Sequence, residues 1–338
     1  MNKLKTTAFV TAALLGMGAG GAQAAAQINT DQTWLGVNDL GHLNTADLLG
    51  VTINAGFTGV TFEPVGDATS PGCLCEGWGA AANGIGGQAA VSNGGVQNVT
   101  GDSFASTATT ATSVTHLTSL PDLQITHQYQ PAAGVSNMFE GIVTLTNLGA
   151  GTLTDVRYTR VMDWDIPPTE FSEFVTIQGT ATTADLLYSS DDGFEQPNPL
   201  ASRSPISCFP DTTDFVDCGP DDHGALFDFG FGDLAAGEST SFSIFYGAAA
   251  TESAALAALG TIGAELFSLG QCNPAADAAC GGPDTGTPAT FIFAFTGVGG
   301  TPVIPPGPGG VPEPSVLWLM GAGLAGVAGI RRRKQAKA

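Results

Sequence analysis

Positive charge is almost missing from the long middle of this chain. The 338 residues include ten Lys+Arg against 31 Asp+Glu. Lys3 and Lys5 stand near the start, and Arg331, Arg332, Arg333, Lys334 and Lys337 near the end. Between them only Arg157, Arg160 and Arg203 remain, with no lysine. Neutralising phosphates needs a cationic face, so nucleic acid is excluded as a partner. Direct attraction to anionic lipid or acidic polysaccharide is disfavoured too, unless divalent cations bridge the two. Catalytic motifs are equally scarce. The four histidines, His42, His116, His127 and His223, form no paired ligand motif, and there is neither a Gly-x-Ser-x-Gly elbow nor a single reactive cysteine. A glycosidase needs two spaced carboxylates, and among 31 acidic residues no pair stands out. The expectation is a protein that is not an enzyme. Only 12% of residues are charged and 47 are glycine, which suits an extracellular surface rich in Ser, Thr, Asn and Gly.

What is present concentrates at the two ends. Lys3 and Lys5 form a positive n-region, residues 8–18 an apolar core, and Ala22-Gln23-Ala24 a small-x-small cleavage site. Residues 1–24 therefore read as a secretory signal cut after Ala24, leaving about 285 exported residues, enough for one large or two small cores. At the other end stand Val311, Pro312, Glu313 and Pro314, then the apolar run 316–330, then Arg331, Arg332 and Arg333. The prolines block regular structure upstream. Fifteen residues at about 1.5 Å each span roughly 22 Å, short of a bilayer core of about 30 Å. The arginine cluster holds its end in the cytoplasm, so the preceding chain lies across the membrane.

This tail resembles the PEP-CTERM sorting signal of exported bacterial proteins, through Val311-Pro312-Glu313-Pro314-Ser315, Trp318-Leu319, Gly321, Gly323-Leu324, Gly329 and the three arginines. The resemblance implies membrane anchoring in transit, then cleavage near the Pro-Glu-Pro triplet by an exosortase-like enzyme. It also implies sorting toward the cell surface or medium of exopolysaccharide-making bacteria. The alternative is an ordinary single-pass anchor that stays in place. Expected partners are the export machinery, signal peptidase, the exosortase-like enzyme and exopolysaccharide. The expected division is a signal peptide 1–24, an exported region 25–300 (an N-terminal β extension 25–101 and a core sandwich 102–300), a Pro/Gly linker 301–310 and the sorting signal 311–338. Within the signal, 316–330 is the transmembrane helix and 331–338 the basic tail.

Six cysteines fit an oxidising compartment. The simplest pairing of fifteen joins Cys208 to Cys218 and Cys272 to Cys280, each closing a short loop for roughly 2–3 kcal/mol. Cys73 and Cys75 close on each other or pair elsewhere. A zinc set is disfavoured, because no histidine lies near enough to complete four ligands.

Strand signals sharpen after Ser103: segments 103–117, 123–129, 139–148, 154–165, 173–179, 184–190, 225–230, 240–248 and 289–298 are rich in Thr, Val, Ile, Phe and Tyr between turn-forming residues. The fold class is all-β, an antiparallel β-sandwich with long Gly/Asn/Asp-rich loops. One short Ala-rich helix is expected over 251–259, capped by Thr251 and able to resume to Leu269 after Gly260. Residues 142–156 and 231–246 resemble strand-turn-strand blocks of bacterial surface Ig-like modules, which implies a sandwich and no particular chemistry.

Two acidic groupings stand out. Alternation along a strand puts Tyr158, Arg160, Met162 and Trp164 on one face and Arg157, Asp163 and Asp165 on the other. Arg160, on the apolar face, needs a carboxylate from elsewhere. Asp163, Trp164 and Asp165 are then either a carbohydrate or cation site, with an exposed Trp, or a structural strand with a buried Trp and an internal ion pair. Asp191 and Asp192, and Asp221 and Asp222, sit in acidic loops suited to Ca²⁺ or simply to solvated turns. No other cofactor is expected. The function expected is a non-catalytic surface or matrix protein associated with exopolysaccharide or biofilm. The alternatives are a carbohydrate- or Ca²⁺-dependent binding module and, third, a polysaccharide-acting hydrolase.

Overall fold

The computed structural model of the protein describes residues 25–51, 56–63, 65–208, 213–280 and 288–303. The signal segment 1–24, the Pro-Glu-Pro triplet, the apolar run 316–330 and the basic tail lie outside the described residues. In chain order the strands are β1 (Ala25–Thr30), β2 (Thr33–Asn38), β3 (Thr45–Ala46), β4 (Phe57–Thr58), β5 (Val60–Phe62), β6 (Gly66–Asp67), β7 (Gly77–Ala82), β8 (Ile85–Ala90), β9 (Val99–Ser106) and β10 (Ala111–Leu117). They continue with β11 (Leu120–Pro131), β12 (Met138–Asn147), β13 (Leu153–Asp163), β14 (Glu173–Gln178), β15 (Leu186–Ser190), β16 (Phe215–Asp221), β17 (Gly224–Leu234), β18 (Ser239–Ala249), β19 (Leu266–Gln271) and β20 (Thr290–Thr296). The α-helix α1 (Glu252–Ile262) separates β18 from β19. Among the described residues no helix is long and apolar enough to cross a membrane.

Nine strands make one antiparallel sheet in the order β16-β14-β19-β20-β18-β12-β11-β10-β9, and five make a second in the order β15-β17-β13-β7-β8. Alternation of buried and half-buried residues along β10, and along β12 from Phe139 onward, marks a sheet with one dry face. The dry faces meet through aromatic side chains. Phe229 of β17 stands 5.0 Å from Phe295 of β20, Phe227 5.6 Å from Phe293, and Tyr158 of β13 5.1 Å from Phe242 of β18. Such ring pairs contribute about 0.5–1.5 kcal/mol each beyond area burial. A four-stranded sheet, β1-β2-β5-β6, joins the same core, with Phe62 edge-on to Phe291 at 6.3 Å. The blocks that resemble Ig-like modules fall on β12–β13 and β17–β18, in sheets larger than a simple seven-strand domain.

Several elements differ from the sequence expectation, each for a local reason. Segment 103–117 is two strands, β9 and β10, because Thr107 and Thr110 close a turn: the Thr107 amide donates to Thr110 O at 2.8 Å. The helix does start after Thr251, whose side chain accepts from the Ala254 amide at 3.2 Å. It runs through Gly260 and ends at Gly263, in the left-handed conformation (φ 67°). It does not resume to Leu269. Residues 266–271 are β19, whose Phe267 and Leu269 bury under α1 with Ile292 and Ala294. Strands β7 (GWGAAA) and β8 (IGGQAA) carry only Trp78 and Ile85 as β-formers, because the chain beyond Ser190 lies against their outer side. A Cβ on Gly79 would collide with Pro197 O, and one on Gly86 with the Asn198 side chain.

Charge is buried at the centre of the sandwich. Arg160 and Glu76 are both 0% exposed, with Arg160 Nε donating to Glu76 Oε1 at 2.5 Å. This is the carboxylate partner that Arg160 required. Tyr246 Oη donates to Glu76 Oε1 at 2.9 Å and the Leu43 amide to Oε2 at 2.7 Å. Arg160 also donates to the hydroxyls of Tyr158 and Tyr129, each at 3.1 Å, and to Gly41 O at 3.3 Å. Burial, then Arg160, pushes His42 down to about 3 and holds His127 well below its ordinary value, so both stay neutral.

Arg160→Met leaves Glu76 buried without its cation and is expected to cost about 3–5 kcal/mol, read as a lower urea midpoint at unchanged slope. Adding Glu76→Gln to that variant recovers part of the loss. A single-variant cost under about 1 kcal/mol would remove the pair from its central role.

A buried carboxylate cluster as candidate functional site

The candidate site forms where β13 leaves its sheet. The Asp165 amide donates to Ala68 O at 2.8 Å, turning the chain away from β17. Trp164 drops into the core, its Nε1 donating to Ser268 Oγ at 3.0 Å and its ring 6.4 Å from Phe291. Register then brings in a third carboxylate. Asp163 pairs with Gly224 at the start of β17, so the β16–β17 turn sets Asp222 beside it. One oxygen from each of Asp163, Asp165 and Asp222 lies within 4.8 Å of the other two.

Asp163 is 1% exposed, Asp165 0%, and Asp222 half-buried. Asp163 Oδ1, both Asp165 oxygens and Asp222 Oδ1 have no hydrogen-bond partner. The three arginines of the described residues are engaged elsewhere: Arg157 with Asp155, Arg160 with Glu76 and Arg203 with Asp228. The cluster thus has no side-chain cation. Burial, then the charges of Asp222 and Asp192, raises Asp163 well above the carboxylate range. Burial, then Asp163 and Asp222, pushes Asp165 up to about 9. Next to it, Glu173 accepts from the His223 amide at 3.1 Å, yet burial and the same aspartates push it up to about 10. Burial, then Asp221, also raises Asp222.

The remaining acidic residues separate into different roles. Asp191 is fully buried and fully used: it accepts from the amides of Ile206, Ser207 and Cys208 at 3.0 Å and contacts His223 Nδ1 at 3.2 Å. Burial alone raises its pKa, but those hydrogen bonds outweigh it and hold the carboxylate below its usual range. It pins a loop. Asp192 Oδ1 accepts from the Phe194 amide at 3.0 Å and Asp221 Oδ1 from the Asp222 amide at 3.0 Å, as turn residues do. Of the four loop aspartates only Asp222 therefore joins the cluster. Trp164, fully buried, is removed from any sugar-stacking surface, which corrects the exposed-Trp alternative.

The cysteines close three local bridges, Cys73–Cys75, Cys208–Cys218 and Cys272–Cys280, with Cα separations of 5.2, 6.1 and 5.7 Å. The first walls the cluster: Cys73 Sγ lies 3.2 Å from Asp163 Oδ2. Sequence reasoning missed Glu173 and the link between Asp163, Asp165 and Asp222. The Asp-x-Asp spacing flagged two members, but the third depends on strand register. As for hydrolase geometry, a cavity of about 310 Å³ beside α1 is lined by Gly134, Asn137, Ala254, Thr261 and neighbours, none a carboxylate. Another, of about 270 Å³, is lined by Val65, Pro167, Pro168, Cys272 and three small residues, again with no carboxylate.

Residues 310–334 match the PEP-CTERM protein-sorting motif. The motif marks an exported protein, anchored in the membrane in transit and handled by exosortase-type machinery. No curated protein matches the chain.

The buried acids set a pH prediction. Asp165 and Glu173 hold protons in the fold that the unfolded chain releases near its ordinary carboxylate values, so their contribution is complete below about pH 4 and is lost as pH rises toward about 9–10. In chelator-containing buffer the melting temperature should fall across that window, and Asp165→Asn should flatten the alkaline limb. A melting temperature that climbs steadily from pH 5 to 9 would contradict this.

Proposed function

We propose that this is a non-catalytic protein of the cell surface or extracellular matrix, released from its membrane anchor by sorting and associated with exopolysaccharide. The sorting motif at 310–334 carries the reading. Three features support it. All three bridges join cysteines close in sequence, a form suited to an oxidising exterior. The described arginines are all tied to carboxylates and the chain is acidic, so contact with exopolysaccharide runs through neutral polar groups or bridging divalent cations. Asp163, Asp165 and Glu173, whose pKa values are raised, are buried and line neither cavity described above, which supports this reading over hydrolysis of a polymer. The Ig-like resemblance of β12–β13 and β17–β18 belongs to the same reading, as a surface sandwich.

Intact mass of the protein from cells and from medium tests the route. The expected species lacks residues 1–24 and everything after about Pro314, and fractionates with polysaccharide. Replacing Pro312, Glu313 and Pro314 by alanine should keep the 316–338 mass in the membrane fraction. Wild-type protein found only with its tail attached would leave a plain anchored domain and end the matrix reading.

A further inference from the structure

We infer that Asp163, Asp165 and Asp222 form a calcium-binding site at the rim of the sandwich. The first ground is geometric. Three carboxylate oxygens lie within 4.8 Å of one another, less than the roughly 5 Å that separates two oxygens on opposite sides of a Ca²⁺ at about 2.3–2.6 Å from each. The second ground is that each of these carboxylates carries an orphan oxygen. Asp163 and Asp165 are at least 99% buried, yet Asp163 Oδ1 and both Asp165 oxygens have no protein donor. A buried carboxylate is ordinarily paired, hydrogen-bonded or bound to a metal. Elsewhere in this protein that rule is obeyed: Asp191 takes three amides and Glu76 an arginine.

The backbone packs close to the same carboxylates. A Cβ at Gly193 would come 2.6 Å from Asp163 Cα and 2.9 Å from Asp163 Oδ1, so only glycine lets the chain approach there. Gly72 makes way for the Phe171 ring beside Asp165. Gly72 is also required by its backbone, at φ 71°. Asp222, half-buried, supplies the route from solvent.

The donor chemistry selects the ion. With Cys73 and Cys75 joined, no thiolate faces the cluster, and His223 is turned to Asp191 and Glu173 O. What remains is hard oxygen, which suits Ca²⁺ or Mg²⁺ over zinc. Mg²⁺ demands near-ideal octahedral geometry and keeps several waters, whereas Ca²⁺ accepts irregular carboxylate sets. An irregular site with three protein carboxylates, two of them buried, therefore favours Ca²⁺. The ion would cross-link the end of β13 to the β16–β17 turn, and so the five-stranded sheet to the edge of the nine-stranded one.

The test is calorimetric titration of CaCl₂ into full-length protein stripped with EDTA, with thermal unfolding in parallel. The expected result is one site per chain, with a Kd at or below about 1 mM, the weak limit for extracellular calcium modules, and a melting temperature that climbs with the logarithm of Ca²⁺. Asp222→Asn and Asp165→Asn should each weaken binding about ten-fold or more, while Asp221→Asn, an exposed neighbour, should not. Asp222 is half-exposed, so its variant remains informative if the Asp165 variant fails to fold. No heat and no melting shift at about 10 mM Ca²⁺ would overturn the assignment. So would equal affinity in wild type and Asp222→Asn, tighter binding of Mg²⁺ than Ca²⁺, or zinc uptake that appears only after Cys73–Cys75 is reduced. None of these outcomes bears on export, which intact mass reads separately.

Discussion

The Arg160–Glu76 pair is the constraint on which the rest of this sandwich depends. Removing two charges from water costs several kcal/mol per ion, and only close geometry with further hydrogen bonds offsets it. The protein meets that demand by drawing partners from most of its layers. Arg160 and Tyr158 come from β13, Glu76 from the approach to β7, Tyr129 from β11 and Tyr246 from β18, while Leu43 and Gly41 come from the loop after β2. One network thereby fixes the five-stranded sheet against the nine-stranded sheet at a single relative position. Aromatic packing alone is tolerant of sliding; a buried ion pair with this many partners is not.

The same economy of positive charge shapes the surface and the rim. Each described arginine is held by a carboxylate within the fold, so no side-chain cation is left for the acids gathered at the end of β13. Arg203 shows this on the outer face. It donates to both Asp228 oxygens and to the carbonyls of Gln196 and Asn198, clamping the loop that covers β7 and β8. Asp163, Asp165 and Asp222 are then left to protons or to an ion from solvent. For an exported protein Ca²⁺ is such an ion, bound by extracellular modules with a Kd of about 10⁻⁴–10⁻³ M.

How far the sequence discloses the fold varies with how each element is stabilised. Strands such as β12 and β18 carry their own β-forming residues, and their positions are legible within a residue or two. Strands β7 and β8 are not, since alanine and glycine there answer to Trp78 on one side and the overlying loop at Pro197 on the other. Segment 266–271 is similarly hidden: next to an alanine-rich helix, Leu-Phe-Ser-Leu continues a helical pattern as readily as it starts a strand. Its pairing with β14 and β20 makes the choice.

The sorting tail and the charge were determined by sequence alone. A sorting motif is a linear code, read by other proteins from residue order, and the scarcity of lysine and arginine is a count that holds whatever the fold. The need of Arg160 for a carboxylate was also visible, because a charge on an apolar strand face cannot stand unpaired. That the partner is Glu76, that Trp164 turns inward, and that Asp222 rather than Asp191 or Asp192 meets Asp163 and Asp165 was decided only by tertiary structure. Those outcomes depend on which strands become neighbours and in what register, and a one-residue shift would exchange every inward and outward side chain.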